Sequence, residues 1–415
     1  MKIALISNMN NNYFGLLRYF IDLDVDVKLF CFLDEYANFT PEYDTWFFDK
    51  YKQYIDKLPF KYYDHYNVIK SFDRDLVKNK LDNFDILIGS GPTPAYLLQL
   101  GISLDYFMPY KTGIEYFKDD LSFRKFKQNY LLRSFNKIQR KALSNTKYAL
   151  NEDFRDLTYK RIQSLNMKNI AVNAPMLYLE KKPAKIKLDK VYEVAIRKMR
   201  KSDFVVFHAG RHQWKRSKKD KILKAIKGIP FLNNNANDSI IKAFVNFNKK
   251  TKNKNNLLVL FEYGTQVELS KSLIRDLKIS QNVIWLPTSP RKVILEVTKH
   301  ASVAIGDIAV GGWGGKALEA LSLGVPVIQS VSEENRNLFK KHKKIDLPPF
   351  ILIDHNLNLV NQLQTLFDKY SLNLMKLKEI GEMSKNWFFK NEGFEKAKKL
   401  LDIIKKNYIK DQNNA

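Results

Sequence analysis

Residues 305–329 read IGDIAVGGWGGKALEALSLGVPVIQ. A short apolar run leads to Asp307, and four glycines follow: Gly311, Gly312, Gly314 and Gly315. The run KALEALSL favours a helix, Gly324 stops it, and Val325-Pro326-Val327-Ile328 reads as a strand. Strand, glycine turn, helix and strand make one β-α-β unit. Glycines let the backbone approach a ligand closely. The helix N-terminus behind them offers unpaired N–H groups and a positive dipole end, which suits a phosphate. Glu319 lies one turn further along, within reach of a sugar hydroxyl on the same ligand. Tight packing of the helix on its sheet is the competing explanation of the glycines.

Outward from that unit, apolar runs alternate with helical patterns. KIALIS (2–7), VDVKLFCFL (25–33), FDILIG (84–89) and LDYFMP (104–109) read as strands of a first half. FVVFH (204–208), LLVLFEYG (257–264), VIWLP (283–287), SVAIGD (302–307) and VPVIQS (325–330) read as strands of a second. This alternation predicts two doubly wound parallel sheets, each Rossmann-like. Residues 181–201 are charged, contain Pro183 and show no sustained period, so they read as a linker. The stretch 215–238 reads as an inserted loop or short helix, and 387–408 as one long Lys-rich helix.

The chain has 415 residues and a formal net charge of +26. Such a charge suits an anionic partner: nucleic acid, a phosphate-bearing substrate or an acidic membrane surface. It equally reflects a composition rich in Lys, Asn, Ile, Phe and Tyr. Residues 121–147 hold eight Lys or Arg and no acid, with Phe123, Phe126, Tyr130, Phe135 and Ile138 at helical spacing. That is a basic amphipathic helix, which either packs on the sheet with a solvated face or faces a membrane. The single cysteine, Cys31, leaves no internal disulfide and fits a reducing compartment. No apolar run approaches the ~18 residues of a membrane span, and residues 1–12 do not read as a signal peptide. Asp22, Asp24 and Asp26 form a D-x-D-x-D string, which reads as a polar turn before a strand rather than as a metal site. No cluster with metal-ligand spacing appears elsewhere, so no metal is expected.

A specific resemblance rests on five segments taken together. HAGR (208–211), NDSIIKAF (237–244), EYG (262–264), NVIWLP (282–287) and GGWGGKALEALSLGVPVI (311–328) follow one another in the order and spacing of retaining glycosyltransferases of the family-4, or group 1, type. YKTGIEYF (110–117) is similar to the Y-x-T-G-x-D segment of one branch of that family. The resemblance implies the GT-B fold: two Rossmann-like doubly wound domains facing each other across a cleft. It implies an acceptor domain over 1–180, a linker over 181–203 and a nucleotide-sugar domain over 204–385, with a C-terminal helix over 386–415 packing back toward the first domain.

Carried onto this chain, the resemblance implies that Arg211 and Lys215 hold the donor's diphosphate and stabilise its charge as it departs, in place of a metal. The family's Lys-containing stretch is interrupted here, so Arg216 and Lys218 compete with Lys215 for that part. Glu319 would accept from the ribose hydroxyls. Gly15, Gly210, Gly264, Pro287, Gly312, Gly314, Gly315 and Lys316 complete the expected nucleotide-sugar site. The family's first acid, eight residues before Glu319, is replaced by Gly311, and Asp307 either substitutes for it or caps a strand. Glu115 is the nearest polar candidate for a catalytic role in the first half. His208 reads as structural and stays outside the site.

The activity implied is transfer of a sugar, with retention, from a nucleotide-sugar to a glycan or lipid-linked acceptor in surface polysaccharide synthesis. No cofactor is expected, and the location implied is cytoplasmic, peripheral on the inner face of the cell membrane. Two rival readings stay open: a nucleotide-sugar epimerase on the same fold, and a basic nucleic-acid-binding protein, although no nucleic-acid recognition module is visible.

Overall fold

A computed structural model describes residues 1–35, 40–61, 72–109, 114, 126–152, 156–180, 186–215, 236–251 and 255–413. The chain forms two compact units. The first comprises residues 1–180 and 391–415, and the second residues 181–390.

The first unit is built on seven parallel strands: β1 (Lys2–Ile6), β2 (Asp26–Cys31), β3 (Ile55–Lys57), β4 (Ile86–Ser90), β5 (Tyr106–Met108), β6 (Tyr148–Leu150) and β7 (Lys168–Ile170). Their order in the sheet is β3-β2-β1-β4-β5-β6-β7. Successive side chains of a strand point to opposite faces. Ile3 and Leu5 therefore enter one core with Leu29 and Ile88, while Ala4 and Ile6 enter the other with Phe30 and Leu87. Burial on both faces is why these segments read as unbroken apolar runs.

The second unit has six parallel strands: β8 (Phe204–His208), β9 (Asn256–Glu262), β10 (Val283–Pro287), β11 (Val303–Ile305), β12 (Val327–Ser330) and β13 (Ile351–Ile353). Their order is β10-β9-β8-β11-β12-β13. Phe204, Val206, Leu258, Leu260 and Ile305 meet the helices Asn237–Lys250 and Leu359–Ser371 in one apolar core. The winding reverses between β8 and β11. In such sheets ligands bind outside the carboxyl ends of the strands at the reversal. Here those ends are the loops that begin at His208 and Ile305.

The structure corrects two readings of the sequence. The stretch read as linker contains the helix Lys190–Arg200, whose Tyr192, Ala195, Ile196 and Met199 are buried. Its apolar positions follow the helical i, i+3, i+4, i+7 pattern, but they are diluted by seven intervening polar or exposed residues. The Lys-rich tail is two helices, Leu374–Asn391 and Gly393–Gln412. They meet where Gly393 takes a φ of +60°, a turn no continuing helix makes.

The last helix belongs to the first unit. Ala397, Leu400, Leu401 and Ile404 pack into the core that holds Leu16 and Phe20 of the helix Asn12–Asp22. Beside them Lys396 is buried, donating to Glu152 at 2.6 Å and Glu392 at 2.8 Å. Burial alone would lower the Lys396 pKa, but the two carboxylates outweigh it and hold the ammonium above its ordinary value. An unpaired charge there would be strongly destabilising.

Candidate functional site

Three loops of the second unit converge at the carboxyl ends of β8, β9 and β11. The first leaves β8 at His208. His208 is fully buried, and its Nδ1 lies 3.0 Å from the carbonyl of Ile305. A carbonyl only accepts, so Nδ1 carries the proton and Nε2 presents a lone pair. Burial first, and the charge of Lys316 second, push the imidazole pKa well below its ordinary range, so the ring is neutral. Nε2 is buried and has no hydrogen-bond partner among the described residues.

Gly210 follows, and only glycine fits. A Cβ here would stand 2.2 Å from His208 Nε2 and 3.1 Å from Lys316 Nζ. Arg211 then projects to the surface, where its guanidinium lies over the Tyr263 ring at 5.1 Å and donates to the Tyr263 hydroxyl at 2.9 Å. His212 turns inward: its Nδ1 is 2.8 Å from Ser270 Oγ, and burial lowers its pKa to about 4. Gln266 fixes the remainder of the loop. Its Oε1 accepts from the backbone of Trp214 and Lys215, and its Nε2 donates to the carbonyl of Lys215. The Lys215 side chain is left exposed.

The second loop follows β9. Gly264 adopts a φ of +115° and lies against the first loop, where a Cβ would meet the amide nitrogen of His212 at 2.6 Å. Pro287 ends β10 at the surface.

The third loop is the glycine cluster. Gln329, fully buried on β12, braces it by donating to the carbonyls of Asp307 and Gly312 and accepting from the amide of Asp307. Gly311 has a φ of +67°, and a Cβ on it would press on His355 at 3.0 Å. The position equivalent to the family's first acid thus disfavours any side chain. Gly312, Gly314 and Gly315 differ: a Cβ on them would meet nothing nearer than 3.5 Å, and none has a positive φ. All three reach solvent. Packing of helix on sheet therefore does not explain them.

The helix Gly315–Ser322 starts on this loop with no side-chain cap. Lys316, in its first turn, reaches back to Asp307 at 2.8 Å. Glu319 accepts from Arg291 Nε at 2.9 Å, with both groups largely buried. Arg291 begins the helix Arg291–Thr298 and carries no motif that the sequence reading recognised. Gln266 likewise lies outside every recognised motif, and Tyr263 and Gln329 lie within recognised segments without a part assigned to them, because those parts depend on where three separate loops meet.

Structure thus brings His208, Gly210, Asp307 and Lys316 together, and joins Arg211 to Gly264 through the neighbouring loop. Gly15 belongs to the other unit, where it sits buried in the first turn of its helix against Pro175 and Tyr178 at ordinary contact distance. Glu115, Arg216 and Lys218 lie outside the described residues. Asp22 accepts from the Tyr178 hydroxyl at 2.9 Å, and Asp24 occupies a left-handed turn. Among the described residues no group of three His, Cys, Asp or Glu could hold a metal ion, and no helix is long and apolar enough to cross a membrane.

Residues 198–363 match the family model described as Glycosyl transferases group 1. Among curated proteins no sequence relative matches. The fold is similar to that of the Anabaena HepE protein solved with UDP and glucose, at 10% identity and a TM-score of 0.59, over 98% of this chain and 100% of that one. It is also similar to sucrose-phosphate synthase from Thermosynechococcus elongatus, at 11% identity and a TM-score of 0.61, over 99% of each chain. A putative UDP-N-acetylglucosamine 2-epimerase from Listeria monocytogenes shares it at 11% identity and a TM-score of 0.52, over 98% of this chain and 97% of that one. The chain has the two-domain α/β fold of the GT-B glycosyltransferases, and its second unit carries the sequence pattern of group 1 glycosyl transferases.

Proposed function

We propose that the protein transfers a sugar from a nucleotide-sugar to a glycan or lipid-linked glycan, with retention of configuration and without a metal. The observation that carries this reading is the glycine loop. Its Gly312, Gly314 and Gly315 are not needed by the fold, reach solvent, and lie at an uncapped helix N-terminus within the segment that matches the family. Backbone that gives up side chains without steric need is backbone kept clear for a ligand.

The diphosphate would lie on the amides of Gly314 to Lys316, where the helix dipole favours an anion. Arg211 and Lys215, both exposed on the β8 loop, would draw charge as the sugar–phosphate bond breaks. The acceptor oxygen then bonds to the anomeric carbon. Its proton passes to the phosphate oxygen that leaves, so the chain itself need supply no nucleophile. Glu319 has a second carboxylate oxygen for the ribose hydroxyls while Arg291 holds the first. Reaction at the inner face of the cell membrane would suit a lipid-linked acceptor. The outward cations of the helix Phe126–Ser144, among them Arg133, Lys137 and Lys141, support docking there.

A donor screen tests the reading. Release of nucleoside diphosphate is scored across UDP-, GDP- and ADP-sugars, UDP-sugars first, because the HepE structure holds UDP. Acceptor-dependent release supports transfer. Interconversion of a nucleotide-sugar with no acceptor present favours the epimerase instead. No nucleotide-sugar binding, with salt-sensitive binding to random oligonucleotides, favours the nucleic-acid reading.

A further inference from the structure

Three groups surround one point beside Gly210. Lys316 Nζ and His208 Nε2 lie 3.1 and 2.2 Å from the position a Gly210 Cβ would take, so both border the same small space without being hydrogen-bonded to each other. Asp307 Oδ1 lies 2.8 Å from the same ammonium, and its Oδ2 faces the space above Gly314. An ammonium has three donors, whereas His208 Nε2 is a buried acceptor that no group among the described residues satisfies. A buried acceptor left unmade is destabilising, and this one borders the space that the Lys316 ammonium also borders.

We propose that Lys316 is exchanged between two acceptors: Asp307 holds it before an anion binds, and His208, a positioning residue, receives it when a diphosphate reaches the glycine loop. The inference rests on the donor-site reading above. The diphosphate and Asp307 carry like charge at close range, so an ammonium between them is drawn toward the anion and away from the carboxylate. Turning it that way aims its remaining protons at His208 Nε2. The imidazole then keeps the ammonium in place, and the freed Asp307 carboxylate accepts from hydroxyls of the sugar. Contact with the sugar would thus form only after the phosphates are seated. Gly210 is essential to the exchange because any side chain would fill the path between the two nitrogens.

Nitrogen NMR on the full chain with ¹⁵N-labelled histidine reads the exchange directly, with the His208 signals assigned by their loss in His208→Gln. A free Nε2 lone pair resonates far downfield, and acceptance of a hydrogen bond moves it upfield. Expected results are a downfield Nε2 in the wild type, an upfield move in Asp307→Ala with no ligand present, and return to the downfield position in Asp307→Ala/Lys316→Met. Inorganic pyrophosphate should move the wild-type signal upfield as well. An unmoved signal in Asp307→Ala overturns the exchange whatever the donor. Pyrophosphate that binds by calorimetry yet leaves Nε2 unmoved also overturns it while sparing the donor site. If Asp307→Ala moves the signal but pyrophosphate does not bind, the two acceptors stand and the donor reading falls.

Pyrophosphate affinity in two further variants separates positioning from packing. His208→Asn keeps a donor for the Ile305 carbonyl but has no acceptor at the ε position, and should bind roughly tenfold more weakly, about 1.4 kcal/mol. His208→Gln keeps an acceptor near that position and should bind nearly as the wild type. The opposite ranking marks His208 as a structural residue and overturns its part.

Discussion

Arg291 Nε donates to Glu319 Oε1 across 2.9 Å, with about a sixth of each side chain exposed. The pair joins the helix Arg291–Thr298 to the helix Gly315–Ser322 and orients the carboxylate before any ligand arrives. Glu319→Gln keeps an acceptor for Arg291 but loses the charge. It should weaken nucleotide binding by about 1–3 kcal/mol, the loss of charge-assisted hydrogen bonds. Glu319→Ala removes the acceptor as well as the charge and should weaken nucleotide binding at least as much. Calorimetry showing unchanged nucleotide affinity in both variants would reduce Glu319 to a helix-pairing residue.

Arg211 is held by an exposed tyrosine, so its removal should leave the fold intact. Arg211→Ala should lower turnover by roughly 10²–10³ fold, the usual effect of removing one preorganised group from a developing charge. Retained turnover in a variant with wild-type melting would remove Arg211 from the mechanism.

The glycines divide into two experimental classes. Gly264→Ala forces an L side chain to a φ of +115° and against the His212 backbone, so it should cost more than about 1 kcal/mol of stability. Gly312→Ala and Gly314→Ala should leave melting unchanged and weaken nucleotide binding. Equal melting losses in all three variants would return the cluster to a packing role.

Glu35 gives the first unit a pH dependence. Burial raises its pKa to about 7, against the pull of the Phe32 and Asn8 backbone amides. The folded chain keeps this proton up to about pH 7, while the unfolded chain loses it near the ordinary value of 4.5. More protons are bound when folded, so its contribution to stability is present below 4.5 and is lost as pH rises toward 7. Glu35→Gln should melt close to the wild type near about pH 4 and above it near about pH 8. Parallel melting curves across that range would show that Glu35 titrates alike in the folded and unfolded chain and is not raised by burial.

In the helix Phe126–Ser144, Phe135 and Leu143 pack into the core while Arg133, Lys137 and Lys141 face outward. Each such cation near an anionic membrane is worth about 1 kcal/mol. Changing these three to Glu should abolish sedimentation with vesicles containing anionic lipid and leave nucleotide affinity intact. Equal sedimentation of the wild type with neutral and anionic vesicles would assign the charge to composition.

Both sheets were legible because each central strand is buried on two faces and so appears as a short apolar run beside a turn. Strands β3, β6, β7 and β13 were not visible. Each has three residues, too few to show a period, and lies at or next to a sheet edge. The glycine cluster and HAGR could be read as site segments because close backbone approach leaves glycine behind. His208 was read as structural since one histidine after a strand carries no pattern. Its relation to Lys316 spans more than a hundred residues and arises only from the pairing of β8 with β11. Gly15, in the β-α connection after β1, lies buried in the first turn of its helix, a placement that the sequence pattern does not show.

The last helix completes a core begun by β1, so the chain leaves the first unit at residue 180 and returns to it at 391. On the ribosome this separates the two halves of one core by the whole of the second unit. Domains ordinarily fold as they emerge, the N-terminal one first. Here one apolar flank of the first unit's core is covered only when Ala397, Leu400 and Ile404 arrive, after the second unit has been synthesised. A nascent chain stalled before residue 391 would therefore expose the older half to chaperones and proteases, not the newer.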